Sequence, residues 1–187
     1  MTAKEILRVN LFPNARCVAS GRQPNAMQDC EGLSWRWGDT DGFSISSANS
    51  NGAFCWFSVG GLEPGERYVF DCEVGYSSTR TARGPILEIR GDNDSGTSLA
   101  SIGNTRPDSR QQTLRFTAPA SGVVAVIVRG PKREDGDQHV DSIVAVYHPQ
   151  LELESTFDVA VSGGGSGSSP GTPCRDRNGI RRAGDAR

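Results

Sequence analysis

The sequence predicts an all-β domain built as an antiparallel β-sandwich, and three observations carry the prediction. Apolar and polar residues alternate at period two in segment after segment, while no stretch sustains the 3.6-residue period of an amphipathic helix. The alternating segments are rich in β-branched and aromatic residues, which suit a half-buried pleated surface. Breaks rich in Gly, Pro, Asn and Asp separate them at the close spacing of a sandwich, which leaves no room for the helical crossovers of a parallel sheet.

Strands are expected at 33–37, 43–46, 54–59, 66–76, 86–90, 112–117, 123–129, 142–147 and 157–161. The clearest is 66–76, where Tyr68, Phe70, Cys72, Val74 and Tyr76 alternate with Arg67, Asp71, Glu73 and Gly75, and Val69 is the one apolar residue on the second face. Ahead of it, Leu62-Glu63-Pro64-Gly65 predicts a type II turn, because Pro presets one φ and Gly accepts the positive one. The expectation is a hairpin from 54–59 into 66–76. Later breaks fall at Gly91-Asp92-Asn93-Asp94-Ser95-Gly96, at Ala118-Pro119-Ala120-Ser121-Gly122 and at Gly130-Pro131.

The 187 residues suffice for one domain and a tail. The sandwich is assigned to 1–161. Residues 162–173 read SGGGSGSSPGTP, a flexible linker, and an Arg-rich end follows. Five arginines against two aspartates give 162–187 a charge of +3 and leave −5 on the body. This tail is expected to be disordered unless a partner binds it. It is either a plain solvated terminus or a tether that touches an acidic surface or nucleic acid during assembly.

The overall charge of −2 provides no basic field to draw the body to nucleic acid or an anionic membrane. The longest apolar run, 123–128, is far short of a membrane span. Charged Lys4, Glu5 and Arg8 occupy the place where a signal peptide keeps its apolar stretch, so Sec export is not expected. The five cysteines, at 17, 30, 55, 72 and 174, form no CxxC pair, which argues against a disulfide framework and a zinc ribbon. Cys55 and Cys72 sit in apolar strand segments and are read as small core residues.

Several phrases carry a resemblance. These are Asn10-Leu11-Phe12-Pro13-Asn14, the aromatic Trp35-Arg36-Trp37, the hairpin phrase from Gly61 to Tyr68, Leu114-Arg115-Phe116-Thr117-Ala118-Pro119 with Gly122 after it, and Val140-Asp141-Ser142-Ile143 closing near Gln150-Leu151-Glu152. Together they resemble jelly-roll domains similar to carbohydrate-binding modules, of the galactose-binding-like kind found in tail and surface proteins of actinobacteriophages. The likeness spans about residues 8–154. It implies a two-sheet jelly roll that holds sugar on a concave face or at loop tips, frequently with one structural calcium ion. It also implies a virion location, many copies in an assembly, and capsid or tail subunits as neighbours.

A sugar site stacks the C–H face of a pyranose on an aromatic ring while fixed polar groups take its hydroxyls. Trp35 and Trp37 share one strand face, as do Phe54 and Trp56, and the ordinary role of such pairs is core packing. If one ring is exposed, the first choice is Trp37, at a strand end beside Asp39. Tyr76 is the second, leading into a loop where Arg80 and Arg83 could donate to hydroxyls or a carboxylate. For calcium, Asp92 and Asp94 place hard oxygens close together and Asp141 lies in a second acidic cluster. Neither has the spacing of an EF-hand, and an Asx-rich turn accounts for the first.

No GxSxG, HExxH, GxxxxGK[ST] or GxGxxG motif is present, and His139 and His148 lack a sequence partner that would mark a nucleophile or metal. The expected function is therefore non-catalytic: adhesion of a virion to host cell-wall polysaccharide, in the manner of a minor tail protein. The alternative is a structural capsid-decoration or tail-accessory protein that binds no sugar.

Overall fold

The computed structural model of the chain describes residues 8–13, 42–47, 52–136 and 143–162 in full, together with the backbone at 19–20, 23–24, 27–31, 33–37 and 163. Extended backbone forms where the sequence alternates. The strands are β1 (Ala19–Ser20), β2 (Gln23–Pro24), β3 (Met27–Glu31), β4 (Leu33–Trp37), β5 (Gly42–Ser47), β6 (Phe54–Val59) and β7 (Arg67–Tyr76). They continue as β8 (Leu87–Gly91), β9 (Ser98–Ser101), β10 (Gln111–Thr117), β11 (Val124–Arg129) and β12 (Ile143–Leu153), followed by helix α1 (Glu154–Gly163).

Apart from the small β1-β2 ribbon, the described strands make two antiparallel five-stranded sheets. Sheet one has the order β10-β7-β12-β5-β4 and sheet two the order β3-β6-β11-β8-β9. From β3 onward the chain changes sheet at every connection except the β4-β5 and β8-β9 hairpins. The result is an antiparallel β-sandwich of jelly-roll type.

The turn before β7 forms as its residues require: Gly65 has φ of 85° and the Glu66 amide donates to the Glu63 carbonyl at 3.1 Å. It does not close a hairpin. β6 pairs with β3 and β11 while β7 pairs with β10 and β12, so the turn carries the chain from one sheet to the other. The reason is burial. Both strands carry large apolar residues on one face, and those faces are covered only when they stack across the core. Leu62 is buried in the bend, its amide donating to the Gly122 carbonyl.

The two sheets meet through phenylalanines. Phe57 of β6 lies 5.3 Å from Phe43 of β5 and 4.9 Å from Phe12, and Phe12 lies 5.6 Å from Phe70 of β7, all centroid to centroid. Phe12 is placed by its neighbour: Asn10 Oδ1 accepts from the amides of Phe12 (3.0 Å) and Leu151 (2.9 Å), and Asn10 Nδ2 donates to the Pro149 carbonyl. Cys55 and Cys72 are buried free thiols, as their strand positions suggest.

Segment 157–161 is helical, which corrects the expected strand. Phe157, Val159 and Val161 fit period two, but the segment follows directly on β12, an inner strand flanked by β7 and β5, and so finds no free edge beside it. A helix satisfies its own backbone. The Thr156 hydroxyl shares its one proton between the Leu153 carbonyl and Glu152 at the helix start, and the guanidinium groups of Arg8 (5.9 Å) and Arg115 (5.6 Å) both stand near the Phe157 ring. Arg67 and Arg115 pair with Glu154, and Arg115 also with Asp158, which folds α1 back onto sheet one. No helix among the described residues is long and apolar enough to cross a membrane. The linker and tail from 164 onward lie outside the described residues.

Gly122 has φ of 65°, and a Cβ there would lie 2.4 Å from the Leu62 carbonyl oxygen. Gly122→Ala is expected to cost more than about 1 kcal/mol, read as a lower urea midpoint. An unchanged midpoint would show that the bend does not pack this way.

Candidate functional site

With one face of each strand spent on the core, function must use the outer faces or the loops. On sheet one the outward residues include Val69, Asp71, Glu73 and Gly75 of β7 and Ala145 and Tyr147 of β12. Register sets Ala145 opposite Gly75 and Ser44, and Tyr147 opposite Glu73 and Gly42. Helix α1 covers one end of this face, where Val69 and Glu152 are buried. The other end stays open as a trough of about 430 Å³, with Gly75, Ala145 and Tyr147 among its lining and Arg106, Asp108 and Arg110 on its loop side.

Tyr147 lies across this floor because its neighbours have no side chains. A Cβ at Gly42 would sit 2.4 Å from Tyr147 Cδ1, and one at Gly75 would sit 3.7 Å from Cε2, the opposite corner of the ring. The ring therefore spans from β5 to β7 and remains partly exposed. The Arg110 guanidinium stands 5.9 Å from its centroid, and the Arg110 carbonyl accepts from the Val74 amide at 2.7 Å, which fixes the loop to the sheet. Just beyond Tyr147 the register of β12 shifts before Gln150, with His148 at φ of 50° and its Nδ1 3.7 Å from Glu73. Asp71 accepts from Gln111 (2.7 Å) and Thr113 (2.6 Å) farther along the face. An aromatic floor, carboxylate acceptors and guanidinium donors thus share one open surface.

A second depression, about 280 Å³, opens on the outer side of sheet two, with Phe54, Arg83, Arg90, Asp94, Ile127 and Arg129 among its lining. Beneath it Glu88 is buried between two arginines. Arg129 Nη1 donates to Glu88 Oε2 at 2.7 Å and to the Pro85 carbonyl at 3.1 Å, while Arg90 Nε lies 2.9 Å from Glu88 Oε1, off the line of a good hydrogen bond. Burial raises the Glu88 carboxyl pKa, but the close Arg90 and Arg129 guanidiniums and Ser98 outweigh that and hold it below the ordinary value.

Of the residues singled out from sequence, Arg83 and Asp94 come together in this second depression. Tyr76 borders the trough, but it falls on the inward face of β7 with Cys72 and Val74, and its hydroxyl donates to the Arg80 carbonyl at 2.9 Å. Its ring belongs to the core. Arg80 pairs with Glu134 at 3.3 Å. Backbone register sets Trp37 opposite the buried Phe43; its side chain, Asp39 and Asp141 lie outside the described residues. Asp92, at φ of 66°, and Asp94 belong to a turn closed by backbone bonds and by Asn93 Oδ1 accepting from the Ser95 amide. Among the described residues no group of three or more His, Cys, Asp or Glu side chains is arranged to hold a metal ion. Sequence reasoning missed Tyr147 and Arg110. The available signal was Gly42 and Gly75 inside strands, where glycine often marks a close approach.

Neither a family model nor a curated protein matches the sequence. Among solved structures, the chain is similar to a CBM4 carbohydrate-binding module, at 15% identity and a TM-score of 0.47 over 67% of this chain and 77% of that one. It is also similar to the second N-terminal cellulose-binding domain of Cellulomonas fimi β-1,4-glucanase C, at 12% identity and 0.48 over 78% and 95%. A third similarity is to the enzymatically active domain of bacteriophage CBA120 tailspike protein 4, at 15% and 0.47, covering 77% of this chain and only 21% of that one.

A carboxyl held below its ordinary pKa stabilises the fold in full above the unfolded value, and that contribution is lost as pH falls through the folded value. Glu88→Gln is expected to cost about 3 kcal/mol near neutrality, because it leaves two arginines without their counter-charge. The gap between variant and parent should hold above about pH 5 and narrow as the pH falls below the ordinary carboxyl value of 4.5. Urea melts across that range check it, and a gap independent of pH would mean that Glu88 is not ionised in the fold.

Proposed function

We propose that this protein is a non-catalytic glycan-binding module that adheres to polysaccharide through the trough on sheet one. The observation that carries this reading is the Tyr147 ring, laid across Gly42 and Gly75 and partly open to solvent. A pyranose set on it would place its C–H face on the ring and its hydroxyls within reach of carboxylates and guanidiniums on the same surface. Small residues around the ring leave space for a chain of sugars. The Arg110 guanidinium, 5.9 Å from the ring centroid on a loop whose backbone is bonded to β7, supplies a donor at the site.

The setting belongs to the proposal as well: a virion surface facing host cell-wall or capsule polysaccharide. It rests on the sequence resemblance to actinobacteriophage surface domains, and many copies would turn weak single sites into firm attachment. Capsid or tail subunits would then contact the body or the Arg-rich tail, away from the trough.

Binding is read by sedimentation with host cell walls and by a glycan array. Tyr147→Ala is expected to weaken binding about tenfold or more while the thermal unfolding midpoint stays close to that of the parent. Incubation with the bound polysaccharide should release no new reducing ends. Unchanged binding in Tyr147→Ala would remove the trough from the account, and release of reducing ends would remove the non-catalytic reading.

A further inference from the structure

The depression on sheet two has a different chemistry from the trough. Arg90 and Arg129 each turn one side of the guanidinium to Glu88, and Arg90 Nη1 also donates to the Asp94 carbonyl at 2.8 Å. The Nη2 groups of both, and the whole guanidinium of exposed Arg83, have no hydrogen-bond or ion-pair partner among the described residues. Three guanidiniums against Glu88 and Asp94 leave a net positive charge around a cavity walled on its apolar side by Phe54 and Ile127.

We propose that this cavity binds an oxyanion, a carboxylate or phosphate group carried on a small polar ligand, with Arg83, Arg90 and Arg129 as its donors. Guanidinium forks match the oxygen pairs of both groups, and such charge-assisted bonds are the strong ones. Glu88 is the device that makes the site possible. Buried between two like charges, it holds Arg90 and Arg129 together in fixed positions without filling the cavity. At about 280 Å³ the space lies just below the range of roughly 300–1,000 Å³ that holds drug-sized ligands, which fits a single acidic sugar or one polyol-phosphate unit. This site is separate from the trough, on the other sheet, and does not rest on the glycan reading of Tyr147.

The test is an amide chemical-shift titration of the full chain with sodium glucuronate, with glycerol phosphate and with glucose. Either anion is expected to shift the amides of 83–85, 90–94 and 129 while leaving 143–147 in place, and glucose to shift none of the first group. Which anion does so identifies a carboxylate or a phosphate ligand, and either result supports the site. Arg83→Glu, an exposed position outside the buried pairs, should weaken the response about tenfold, and Tyr147→Ala should leave it intact. The proposal is overturned if neither anion shifts those amides, if glucose shifts them equally, or if folded Arg83→Glu responds like the parent.

Discussion

Phe57 touches both Phe43 of the opposite sheet and Phe12 of the N-terminal segment, and everything else in this sandwich depends on that contact. It joins the two layers at their centre and draws in Phe70 through Phe12. The cluster is supported by Asn10, whose single carbonyl oxygen serves the amides of Phe12 and Leu151 and so ties the start of the chain to its last strand. With the inner faces locked in this way, each outer face becomes a fixed plane. A side chain placed on it has its position determined by register rather than by loop motion.

The outer faces then differ in what covers them. Helix α1 lies over the Val69 and Glu152 end of sheet one, held by ion pairs from Arg67 and Arg115, and stops short of Tyr147. On sheet two, Trp56, Ala125 and Ile127 form a second small apolar cluster beside the buried Glu88. Two surfaces of opposite character follow. One offers a flat ring among small residues, suited to an uncharged ligand with an apolar face. The other offers guanidiniums over a buried carboxylate, suited to an anion.

The alternation of Tyr68 to Tyr76 made the inward face of β7 legible, because burial on one side is what period two records. The turn at Pro64-Gly65 was legible from its backbone demands, but its partner was not: local chemistry shapes a bend, and only the packing of distant strands decides which sheet follows it. β9 escaped notice because Ser98-Leu99-Ala100-Ser101 is a short edge strand with little to bury. α1 is hidden in the sequence because Phe157, Val159 and Val161 match the period of a strand over only five residues, while in the helix Val159 and Val161 stay exposed. The same limit applies to the site. Tyr76 and Tyr147 look alike in sequence, and only the strand positions separate a core ring from an open one. Gly42 and Gly75 held the clue, but they are 33 positions apart in the chain and meet only around Tyr147.

The most direct measurement of the central claim is the set of intermolecular nuclear Overhauser contacts in the complex with a bound polysaccharide fragment. Contacts are expected from the sugar ring C–H protons to the Tyr147 aromatic protons, accompanied by the Gly75 and Ala145 backbone. Contacts that fall on another aromatic ring, with Tyr147 silent while the glycan is bound, would contradict that claim.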